Sequence, residues 1–157
     1  MEARINVMAS PVAAKALKHL IAAGQVLAES TVPSATLELV KIRASQINGC
    51  AGCIDMHTKE AAAAGETAVR LNLVAAWREA TVYTEAERAA LELAEEGTRI
   101  ADAAGGVPDE VWANAAKHFD EDELAALVLQ IAVINAFNRG NVLTRQPAGH
   151  YEVGMVH

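Results

Sequence analysis

Residues 38–57, ELVKIRASQINGCAGCIDMH, gather a carboxylate, two thiols and an imidazole within twenty positions, and the fold reads outward from them. Cys50 and Cys53 form a C-x-x-C, and His57 follows Cys53 by four residues. On a helix starting near Cys50 these three project from one face, because residues three and four apart lie one above the other. That face continues as Ile54, Ala61 and Ala64, so the thiols and the imidazole sit on an apolar stripe. Asp55 and Lys59 form an i,i+4 pair of opposite charge on the solvated side. Glu38 lies twelve residues before Cys50, on a separate helical pattern that ends at Asn48 and Gly49, a turn signal suited to a helix C-terminus. If the two helices pack together, Glu38 reaches His57.

The rest of the chain reads as helical scaffold. Ser10 followed by Pro11 is a helix start, and Leu17, Leu20, Ile21, Gly24 and Leu27 carry its pattern to about Glu29. Val32, Pro33 and Ser34 break it, with Ser34 expected to cap the helix of Glu38, Ile42 and Ser45. The cysteine helix is expected to run to Ala64 and stop at Gly65, followed by a shorter pattern through Leu71, Val74 and Trp77. Thr84 with Glu87, and Asp120 with Glu123, are capping boxes. The first opens a helix through Leu91, Leu93, Ala94 and Ile100 towards Gly105; a short one from Pro108 to Phe119 precedes the second. The last helix, from about Asp122 to Arg139, is apolar nearly all round, as expected of a helix that is wholly buried or shared between subunits. From Gly140 the tail is punctuated by glycine and proline and is expected to be extended or frayed. The expected architecture is all-α, one domain over residues 1–157 with a core of about 15–145 and a tail over 140–157.

Composition narrows the function. Hydrophobic residues make up 52% of 157 residues but aromatics only 4%, so alanine supplies thin helix-helix contacts and subunit contacts are expected. A net charge of −7 with no basic stripe disfavours nucleic acid, because phosphates are repelled. No run of 18 apolar residues and no signal-peptide pattern are present, so the expected setting is cytoplasmic and free of membrane. In that setting a close cysteine pair points to redox chemistry or metal binding, since a cross-link would close only a tiny loop.

With the spacing Glu38, eleven residues, Cys50, two, Cys53, three, His57, the chain resembles the carboxymuconolactone decarboxylase-like superfamily, specifically its alkylhydroperoxidase branch. Asn135-Ala136-Phe137-Asn138-Arg139 is similar to a second stretch of that superfamily, so the resemblance spans roughly residues 15 to 145. It implies an all-helical fold assembled as a homotrimer or homohexamer. It also implies that Cys53 reacts with peroxide, that Cys50 resolves the product as a disulfide, and that His57 and Glu38 relay protons. The founding hydroperoxidases carry a second histidine immediately before the later cysteine, where this chain has Gly52. Decarboxylases of the superfamily generally lack the cysteine pair.

Quieter readings stand beside this one. The cysteines could be two small core residues, or Cys50, Cys53 and His57 could hold zinc, but no spacing nominates His118 or His150 as a fourth ligand. A thioredoxin-like domain would place its C-x-x-C after a strand in a βαβ pattern, which is not seen. His57 could be a satisfied core histidine, and Glu38 a surface carboxylate paired with Lys41. Trp77, Arg78 and Trp112 read as core or interface, and His19 receives no role. The expected activity is a thiol peroxidase that uses an external dithiol reductant and needs no metal, flavin or nucleotide; no glycine-rich phosphate loop is present. The alternatives are a small-acid enzyme of the decarboxylase type and a redox-sensing oligomeric protein.

Overall fold

The computed structural model describes residues 2–155, and among them the chain forms seven α-helices and no strand. They are α1 (Pro11–Ala28), α2 (Ser34–Asn48), α3 (Ala51–Ala63), α4 (Ala68–Leu73), α5 (Glu85–Thr98), α6 (Asp109–Ala115) and α7 (Glu121–Thr144). Short 3-10 turns at Val7–Ala9 and Val74–Ala76 precede α1 and extend α4.

Helix α2 is the hub, packed against α3, α5 and α7, and it buries Leu37, Leu39, Val40, Ile42, Ala44 and Ser45. One core layer joins Leu37 and Val40 to Leu93 of α5 and to Leu127 and Ile131 of α7. A second joins Leu39 and Ile42 to Ala61, Val74, Trp77, Tyr83 and Leu91. Helices α5 and α7 approach closely at Gly97, where an added Cβ would lie 3.3 Å from Ile131 Cγ2.

The helix starts follow the chemistry of their caps. The Ser10 hydroxyl accepts the Ala13 N–H, and both capping boxes form, with Thr84 against Glu87 and Asp120 against Glu123. At α2 the expectation of a Ser34 cap is corrected. Pro33 occupies the cap position without a side-chain bond, and Ser34 is already helical. Gly49 ends α2 with φ 66°, a left-handed conformation in which a side chain is strained.

Three further expectations change. Helix α5 ends at Thr98, so Ile100 lies beyond it and is exposed. Trp77 is buried, in keeping with a core role, while Trp112 is exposed on the single chain, as an interface residue would be. Gly140 does not end α7, because a single helical glycine costs only about 1 kcal/mol against alanine. The helix continues to Thr144 and stops at Arg145, which takes up a left-handed conformation with φ 55°. The tail after it folds back along α3: the Asp55 carboxylate accepts the N–H groups of Gly149 (2.7 Å) and Tyr151 (3.2 Å), and Lys59 Nζ donates to the Tyr151 carbonyl. Residues 156 and 157 of the expected tail lie outside the described residues.

By length and composition α7 could cross a membrane. In the fold it packs on α1, α2, α3 and α5 and carries buried Gln130, Asn135 and Asn138.

Candidate active site

The site begins at the junction of α2 and α3. Cys50 N–H donates to the Ser45 carbonyl, which closes α2, and the Cys50 sulphur then caps α3 by accepting the Cys53 N–H at 3.4 Å. The helix thus starts where the spacing predicts. Cys50 and Cys53 are joined as a disulfide, with Cα atoms 5.4 Å apart, and both are 1% exposed. They pack with Ala44 and Ile134 as a small core of their own.

Helices α2 and α3 do pack together, and their contact brings in the remaining two residues. His57 Nδ1 lies 3.0 Å from Glu38 Oε2, while Lys41 Nζ bonds Glu38 Oε1 at 2.5 Å. Both partners considered for Glu38 therefore bind it at once, one on each carboxylate oxygen. Burial pushes the Glu38 carboxyl up, but the His57 hydrogen bond and the Lys41 charge outweigh it and hold the group below the usual carboxylate range. An ionised Glu38 accepts from Nδ1–H, which leaves Nε2 of His57 as the nitrogen able to take a proton.

Cys53, His57, Glu38 and Lys41 share the wall of a cavity of about 490 Å³ between α1, α2, α3 and α7; Cys50 does not reach it. Apolar wall comes from Ile21, Met56, Val133, Ile134 and Phe137. Tyr151 of the folded-back tail closes one side, its hydroxyl donating to Glu60 Oε1. Burial and that hydrogen bond push the Tyr151 hydroxyl up to about 12, so it stays a donor.

Residues 11–96 match the sequence model of the carboxymuconolactone decarboxylase family, more than half of the chain. The chain belongs to this family. The uncharacterized protein YdfG of Bacillus subtilis is 47% identical over 111 residues, covering 71% of this chain and 74% of that protein. The uncharacterized YnjA of Escherichia coli is 31% identical over 110 residues, 70% of this chain and 59% of its own length. A crystal structure from Agrobacterium tumefaciens, of a protein of unknown function for which an antioxidant-defence role as AhpD has been suggested, superposes with a TM-score of 0.87. It is 37% identical and covers 96% of this chain and 100% of its own. An uncharacterized peroxidase-related protein from Silicibacter sp. TM1040 shares the fold at a TM-score of 0.77 and 18% identity, over 92% of this chain and 75% of its own. The Agrobacterium structure sets this carboxymuconolactone decarboxylase family chain beside a protein for which an AhpD role has been suggested, and the Silicibacter structure adds the fold alone.

For this family member, reading by spacing misses Asn141 and Tyr151, which fall in the stretch expected to be tail. Asn141 Nδ2 lies 3.3 Å from Cys53 Sγ and 3.8 Å from Cys50 Sγ. A signal exists: Asn135, Asn138 and Asn141 recur every three residues, which puts them along one side of a helix. His19, His118 and His150 are exposed, and among the described residues no group of three metal-ligating side chains is assembled.

Proposed function

We propose that this protein is a thiol-dependent peroxidase that reduces hydrogen peroxide or alkyl hydroperoxides through Cys53 and Cys50. The observation that carries this reading is a C-x-x-C cysteine pair of which Cys53, and not Cys50, lines a cavity shared with a carboxylate-bound histidine. In the reduced protein His57 Nε2 takes the Cys53 proton, and the thiolate attacks the peroxide. A sulphur–oxygen bond forms as the O–O bond breaks, and the departing oxygen takes the proton from His57 to leave as water or an alcohol. Cys50 then displaces hydroxide from the Cys53 sulfenic acid as water, giving the disulfide. An external dithiol returns both thiols by exchange and is itself oxidised.

The apolar wall supports a substrate with a hydrocarbon group, and Glu38 and His57 at the same wall support delivery of the proton. Val12, Val26, Leu129, Val142 and Leu143 stand exposed on α1 and α7, which supports an assembly of several copies; the family resemblance supplies the homotrimer or homohexamer of this proposal. A monomeric mass by light scattering at micromolar concentration would remove the assembly from the proposal. The activity itself is tested by peroxide consumption with dihydrolipoamide and with thioredoxin as alternative donors. Turnover with either, lost in Cys53→Ser, is expected; no turnover with any dithiol sinks the reading.

A further inference from the structure

The two sulphurs share a neighbour from another helix. Asn141 stands in the last turn of α7, one turn beyond Asn138, and lines the cavity. Its Nδ2 is within hydrogen-bonding reach of Cys53 Sγ and at the margin of reach for Cys50 Sγ. Its backbone is held in place as well, since the Asn141 carbonyl accepts the Gln146 N–H at 3.0 Å.

Cys53 is 1% exposed, so burial works against a negative charge on its sulphur and nearby protein donors favour the thiolate. The Cys53 N–H is turned to Cys50 and does not serve Cys53. His57 accepts the proton that Cys53 loses, but acceptance alone leaves the charge on sulphur to be stabilised. A primary amide is suited to stabilising it, because it does not titrate, stays a donor at any pH and takes no part in the proton transfers.

We propose that Asn141 is the hydrogen-bond donor that holds Cys53 in its thiolate form, making it a fifth functional side chain beside the two cysteines, His57 and Glu38. The inference rests on reading Cys53 as the reacting thiol. No bond to Asn141 forms or breaks: the proton passes from Cys53 to His57, the electron pair stays on sulphur, and the amide donates to it until attack.

The test follows iodoacetamide alkylation of Cys53 against pH in the reduced Cys50→Ser protein, with Asn141→Leu and Asn141→Asp added. Leucine keeps the volume and removes the donor; aspartate keeps the shape and replaces the donor with a negative charge. The alkylation midpoint is expected to rise by about one pH unit in the leucine variant and further in the aspartate variant, with the rate near neutrality falling roughly tenfold. A midpoint in both variants equal to that of the parent overturns the inference. Should the variants not fold, the side-chain amide resonances of Asn141 are followed by NMR in the reduced Cys50→Ser protein. They are expected to shift with the Cys53 titration, and resonances indifferent to it overturn the inference. Peroxide turnover with a dithiol donor, measured in parallel on the protein that keeps both cysteines, with and without the Asn141 substitutions, keeps the two ideas separate. A shifted midpoint without turnover sinks the peroxidase and leaves the Asn141 role standing, while turnover with an unmoved midpoint does the reverse.

Discussion

Cys50 and Cys53 are equally buried, yet their surroundings differ in ways that assign them different work. Cys50 caps α3 and receives the Cys53 N–H, an arrangement that favours negative charge at a helix N-terminus by about 0.3–1 kcal/mol. Cys53 lines the cavity together with His57 and has the Asn141 amide 3.3 Å from its sulphur, and a hydrogen bond involving a charged group is worth roughly 1.5–3 kcal/mol. The proposed reading therefore takes Cys53 as the reacting thiol. Cys50→Ser is expected to consume about one equivalent of peroxide and stop as a sulfenic acid on Cys53, while Cys53→Ser shows no fast reaction. Mass spectrometry locating the acid on Cys50 instead would reverse the roles. Glu38→Gln tests the next residue in the chain of contacts. A neutral amide next to Nδ1 can donate as well as accept, so it no longer fixes the tautomer that leaves Nε2 free. Peroxide-driven oxidation of Cys53 is expected to slow by up to about a hundredfold with the helical spectrum unchanged, and an unaltered rate would make Glu38 a bystander.

At the scale of elements, the segment after α7 does more than its composition suggests. Asp55 holds two of its amides and Lys59 one of its carbonyls, so α3 carries both the cysteines and the anchor points of the tail. The Lys59 hydrogen bond, against the counteracting pull of burial, holds the Asp55 carboxyl below the usual range, with the two amides adding to it. Asp55→Ala is expected to release the tail, with amide exchange at Gly149 and Tyr151 accelerating by at least about tenfold while α2 exchange is unchanged. Protection retained at both amides would show that other contacts suffice. The same segment marks the limit of what the residues disclose. Caps, the Gly49 stop and the placement of Cys50, Cys53, His57 and Glu38 are legible because each depends on neighbours within a few positions or on one helix-helix contact. The contacts of Asn141 with the sulphurs and of Tyr151 with the cavity join positions about ninety apart, and no local pattern carries that distance. Gly140 misleads for a related reason: its local preference to break a helix is overridden by the packing of α7 on its neighbours.

For the whole molecule, acid stability follows from carboxylates that bridge elements. Glu38 joins α2 to α3, and Glu87 joins α5 to Arg70 of α4 through two guanidinium contacts. Burial pushes Glu87 up, but Arg70 and the Thr84 cap prevail, so both carboxyls lie below their usual range in the folded protein. Their contribution is complete above the unfolded carboxylate range and is lost as pH falls through the lowered folded values. The urea midpoint should therefore drop from about pH 5 downwards, and a Glu38→Gln, Glu87→Gln double variant should show a flatter profile from a lower starting point. Equal slopes in the two proteins would place the acid sensitivity elsewhere.

Helix α7 poses a different problem for the whole molecule, because a rod apolar on nearly every side could settle at several heights along its neighbours. Asn48 Nδ2 donates to both Asn135 and Asn138 at 2.9 Å, Asn138 donates to Ser45 at 3.0 Å, and Asn135 donates to Thr98 at 3.1 Å. These amides act as alignment pins: only one axial position of α7 satisfies all of them, and a displaced rod would strand each in the core. Replacing Asn138 with leucine is expected to leave the helix content intact while the pinning is lost. A slip of a single turn, about 5.4 Å, would carry Asn141 out of reach of both sulphurs and take the thiolate's donor with it.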